Sequence, residues 1–67
     1  MYAHNPTYEI HYKLEEIKKL LSWLEDEVWN VYNDAGPDWI DEHEAITYGQ
    51  KIESMILDVE KLDRDIL

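Results

Sequence analysis

The chain has no cysteine and no phenylalanine, and only two glycines and two prolines, in 67 residues. The missing thiols exclude a disulfide staple, so a lone core of this size is marginal unless a metal or a second subunit supports it. They also fit the reducing cytosol. The opening Met1-Tyr2-Ala3-His4-Asn5-Pro6 lacks the basic start and apolar run of a signal peptide. No apolar stretch approaches the roughly 18 residues of a membrane span. The expectation is a soluble, cytoplasmic protein. Positive charge is scarce as well: six Lys and Arg stand against sixteen Asp and Glu, for a net charge of −10. That balance argues against direct contact with nucleic acid or anionic lipid, both of which need cations, and in favour of a basic partner. Good solubility is the plainer reading of the same charge.

The scarcity is uneven. Between Lys19 and Lys51 there is no Lys or Arg, and Glu25, Asp26, Glu27, Asp34, Asp38, Asp41, Glu42 and Glu44 are interleaved there with Trp23, Trp29, Tyr32, Trp39 and Tyr48. A field of one sign attracts a partner of the other, and aromatic side chains are common anchors of interfaces.

Spacing predicts an all-α fold. Residues 1–5 read as a flexible tail, and Asn5 before Pro6 reads as a helix start, because Asn caps free N–H groups and Pro is tolerated in the first turn. From there Ile10, Leu14, Ile17, Leu21, Leu24, Val28 and Val31 alternate spacings of four and three, the heptad seam of a coiled coil or bundle. Helix 1 is expected over about 6–33. A strand over 28–32 is the weaker reading of the Val, Trp and Tyr there, since the heptad runs straight through. Residues 34–37 form the turn, with Gly36 to end the helix and Pro37 unable to continue it. Asp38 is the expected N-cap of a second helix over about 38–66, with Asp41, Glu42 and Glu44 favoured by its dipole. Its seam reads Ala45, Tyr48, Ile52, Met55, Val59, Leu62 and Ile66.

Two long helices joined by so short a turn form an antiparallel hairpin. Each buries one stripe, which leaves Leu20, Ile46, Ile56, Leu57 and the tryptophans outside. A homodimeric four-helix bundle answers that surplus, and a helix from a different protein is the alternative. Gly49 within helix 2 reads either as a close approach or as a bend.

Glu25, Asp26, Glu27 and Asp34 sit toward the C-terminus of helix 1, where the dipole prefers cations, so local stability does not explain them. The acids of helix 2 need only their capping role. The turn brings both sets to one end, and carboxylates three or four residues apart on a helix, about 5 to 6 Å between Cβ atoms, match the spacing of neighbouring phosphates. In charge and size the chain resembles the small acidic DNA-mimic inhibitors of phages and mobile elements. That is a resemblance of kind, with no motif and no residue role carried over.

Trp23, nearly opposite the seam, reads as a partner contact beside Tyr12 and Asp26. Trp29 reads as further apolar contact, and Trp39 as a lid over the bundle end. Asp38, Asp41, Glu42, His43 and Glu44 lack the Glu-x-x-His and calcium-loop patterns, so no metal or other cofactor is expected. His11 and Glu15 read as an exposed helical pair. Glu60 and Asp63 resemble half of the acidic motif of all-helical nucleotide pyrophosphohydrolases, but the other half is missing. No hydroxyl nucleophile sits in a known template. The expectation is therefore a non-enzymatic protein whose acidic elbow blocks a basic DNA- or RNA-binding surface. The alternative is a helical adaptor whose acids only keep it soluble.

Overall fold

A computed structural model describes residues 6–36 and 38–66. It contains two helices, α1 (Tyr8–Ala35) and α2 (Glu42–Ile66), and no strand among the described residues. The expected flexible tail, with Asn5 as cap, and the helix-stopping role of Pro37 lie outside the described residues. Residues 28–32 are helical, as the heptad requires.

Pro6 and Thr7 form a turn, and α1 starts at Tyr8, two residues after the expected position. Thr7 makes no side-chain cap; its carbonyl accepts the His11 N–H at 3.1 Å. No Gly or Pro interrupts the next 28 residues. The helix ends on Gly36, whose φ of 82° lies where side chains other than Gly are strained. No basic residue stands in its last turn.

The start of α2 corrects the expected boundary near 38. Asp38, Trp39 and Ile40 form a turn, with the Trp39 N–H donating to the Gly36 carbonyl at 3.4 Å. Asp41 is the N-cap, not Asp38: its Oδ1 accepts the Glu44 N–H at 2.7 Å, and its own N–H donates to Glu44 Oε1 at 3.2 Å. This reciprocal capping box satisfies two N–H groups at once. Helix α2 agrees with its dipole at its start, having Glu42 and Glu44 in the first turn, while its last turn sets Arg64 between Asp63 and Asp65.

The helices lie antiparallel in one layer, 57 × 18 × 10 Å overall. Facing positions include His11 with Asp63, Glu25 with Gly49, and Tyr32 with Glu42, and the two numbers add to 74 in each case. A constant register of this kind belongs to two straight helices side by side.

Each seam divides along its length. Leu14, Ala45 and Ile52 are buried, and Leu21, Val28, Ile56, Val59 and Ile66 are half-buried between the helices. Ile10, Ile17 and Leu24 in α1, and Tyr48, Met55 and Leu62 in α2, are exposed. The contact is rotated from the seam centre toward His11, Lys18, Glu25 and Tyr32, all half-buried. Gly49 is buried, and a Cβ there would make ordinary van der Waals contacts, 3.4 Å from Glu25 Oε2 and 3.7 Å from Trp29 Nε1, so the packing leaves room for one.

Candidate functional site

The turn end carries all eight expected carboxylates, but they ring it and do not form one flat patch. Asp26 and Glu27, consecutive on α1, are exposed about 100° apart around the helix. Asp34 is exposed in its last turn and Asp38 in the connection. Glu42 is exposed and accepts a long hydrogen bond from the Tyr32 hydroxyl at 3.5 Å. Asp41 and Glu44 are occupied by the capping box, and Glu44 also accepts the Tyr48 hydroxyl at 3.2 Å. That bond and the Glu44 charge hold the Tyr48 phenol above its usual pKa.

Glu25 stands apart because it points into the helix interface. Partial burial raises its carboxyl above the ordinary 4.5, and the charge and hydrogen bond of Glu53, followed by the charge of Asp26, raise it further. Among the described residues neither Glu25 nor Glu53 has a Lys or Arg partner within salt-bridge distance. Glu53 was not among the candidate residues: it meets Glu25 only through the antiparallel register. The signal that could have revealed the contact is the row His11, Lys18, Glu25 and Tyr32, repeating every seven residues beside the apolar seam.

The far end contrasts with this one. Lys18 bonds Glu15 at 3.1 Å and reaches Glu60 across the helices at 3.8 Å, and Lys13 pairs with Glu16 at 3.5 Å. His11 Nδ1 meets Asp63 across the interface, so His11 does not pair with Glu15 as expected. Its Nε2 is buried with no hydrogen-bond partner among the described residues.

The tryptophans divide. Trp23 is 59% exposed on the outer side of α1, where it can reach a partner. Trp29 is half-buried, with Nε1 near Gly49 and its ring edge-on to Tyr32, centroids 5.9 Å apart at 86°, so its surface is partly spent inside the hairpin. Trp39 is 75% exposed and covers nothing, which corrects the lid reading: it lies in the turn before the cap, outside the packed stripe.

Among the described residues no group of three or more His, Asp or Glu side chains is arranged to hold a metal ion. No helix among them is long and apolar enough to cross a membrane. No protein-family model, curated protein or solved structure matches the chain.

Proposed function

We propose that the chain is a non-enzymatic acidic binding protein. In this reading it works as a homodimeric four-helix bundle whose turn end occupies a basic surface of another protein, of the kind that otherwise holds DNA or RNA. The observation that carries the reading is the grouping of Glu25, Glu53 and Asp26 with no Lys or Arg within salt-bridge distance of any of them among the described residues. The same chain forms ion pairs at its other end, so cations were available to the fold and were not used here. Stability alone favours neutralising such a cluster, and departures from local rules concentrate at functional sites.

Asp26, Asp34, Asp38 and Glu42 then serve as phosphate surrogates, with Glu25 and Glu27 adding to the field and Asp41 and Glu44 adding charge while they cap α2. Trp23 supplies the main apolar contact and Trp29 a smaller one. Contacts between exposed charges weaken as salt screens them. In a pull-down with the full chain at low and high ionic strength, the captured protein should have a basic nucleic-acid-binding face. It should be released by salt and by Asp26→Lys with Asp34→Lys. A partner without a basic surface, or one indifferent to both changes, would overturn the reading.

A second reading, an assembly module joined to a partner helix, is favoured by the exposed row Ile10, Ile17 and Leu24. It requires Ile17→Ala to abolish partner capture and the charge reversals to leave it unchanged.

A further inference from the structure

The exposed members of the two seams lie on the same face of the hairpin. At about 100° per residue, Ile10, Ile17 and Leu24 fall on the flank of α1 away from its polar cross-helix contacts, and Tyr48, Met55 and Leu62 fall on the matching flank of α2. Their exposures are alike, from 39% at Tyr48 to 49% at Leu62. Side chains packed on one side and open on the other have that degree of exposure. By the register described above, Leu62 is level with position 12 of α1, Met55 with 19 and Tyr48 with 26, so the two rows interleave. They form an apolar strip about 24 Å long at 1.5 Å per residue.

We infer that a second copy of this chain covers this strip, face to face and antiparallel, with α1 on α1 and α2 on α2 about a two-fold axis passing beside Leu20 and Met55. The inference rests on the homodimer proposed above and specifies its face, register and polarity. Area supports a whole hairpin as the occupant. The open parts of these side chains and of Leu20, 59% exposed, come to roughly 600 Å² per copy and about 1,200 Å² per pair, within the range of specific interfaces. A core in which only Leu14, Ala45 and Ile52 are buried among the described residues needs a partner that is always at hand, and an identical chain is one.

Charge selects the polarity. Lys13, Leu20 and Glu27 are exposed and seven residues apart, so they line one edge of the strip. A two-fold axis at Leu20 sets Lys13 opposite Glu27 of the second copy, and Glu27 opposite its Lys13. Position 54 of α2 is level with Leu20, and Lys51 and Asp58 lie on either side of it along the other edge. The same axis therefore sets Lys51 opposite Asp58 of the second copy. Each acidic turn end also comes to lie over the end where Lys13, Lys18, Lys19, Lys61 and Arg64 offset most of the acids. The opposite polarity stacks two acidic turns together. One symmetry operation thus makes an opposite-charge pair on each edge and separates the two negative ends, while it sets Glu44 opposite Asp65 at the far end of the α2 row.

The test uses the full chain, which has no native cysteine. Light scattering should give twice the 8.1 kDa chain mass at micromolar concentration. With diamide as oxidant, Leu20→Cys and Met55→Cys should each form disulfide-linked pairs, and Trp23→Cys, on the outer side of α1, should not. Lys13→Glu should weaken the dimer about tenfold, and adding Glu27→Lys to the same chain should restore it. A monomer at 100 micromolar would leave the strip to another protein's helix and overturn both this inference and the proposed homodimer. A dimer in which neither cysteine cross-links, or in which Glu27→Lys does not rescue Lys13→Glu, would overturn the antiparallel register and leave the homodimer standing.

Discussion

Among the described residues Glu25 and Glu53 face each other across the hairpin beside the buried Gly49, with no Lys or Arg within salt-bridge distance of either. Two acids meet where a mixed pair would hold the helices together.

The raised carboxyl of Glu25 fixes the sign of a pH effect. A folded pKa above the unfolded value means the native state binds its proton more tightly. The associated stability is present below the ordinary 4.5 and is lost as pH rises through the raised value. Glu25→Gln should therefore be close to neutral at pH 4 and stabilise the protein at pH 7 by about 0.5 kcal/mol, the scale of partly exposed charge pairs. Urea unfolding of both proteins at the two pH values measures the difference. Equal effects at both would show that the repulsion has no energetic weight.

The same substitution should act with opposite signs at the two glycines. At Gly49 the φ is ordinary and a Cβ would make van der Waals contacts only, so Gly49→Ala should stabilise α2 by up to about 1 kcal/mol. Gly36 has open space around it but a φ of +82°, so Gly36→Ala should cost about 1 kcal/mol through the backbone alone. Thermal midpoints of the two variants report both signs.

Asp41→Ala removes the side-chain half of the capping box and should cost about 1 kcal/mol, whereas Asp38→Ala should cost little. Denaturation midpoints rank the two. The reverse order would return the helix start to position 38.

Leu14→Ala should cost about 3 kcal/mol, a large part of the stability of so small a domain. Trp39→Ala, at a side chain 75% exposed, should fall within about 0.5 kcal/mol of the wild type. Circular dichroism during urea titration separates them.

The two helices and their turn were legible because apolar spacing runs unbroken through each arm and Gly36 divides them. The direction of packing was not. A stripe broad enough for two neighbours looks the same whichever flank the hairpin closes on, and the choice fell to polar pairs such as His11 with Asp63 and Lys18 with Glu60. The start of α2 was expected at Asp38, and Asp41 prevailed because it has a glutamate three residues on to complete the capping box. At the turn end, composition located the acids but could not orient them. That Glu25 turns toward Glu53 follows from the antiparallel register.

The constant register also orders the folding reaction. Joining Tyr32 to Glu42 closes a loop of ten residues, whereas joining His11 to Asp63 spans 52. Closing the longer loop from the open chain costs about 1.5 kcal/mol more in entropy, so contacts should zip outward from Gly36, each shortening the loop left for the next. Hydrogen exchange should then be slowest in the middle of the arms and fastest near Tyr8 and Ile66, where the last pairs to form are the first to fray.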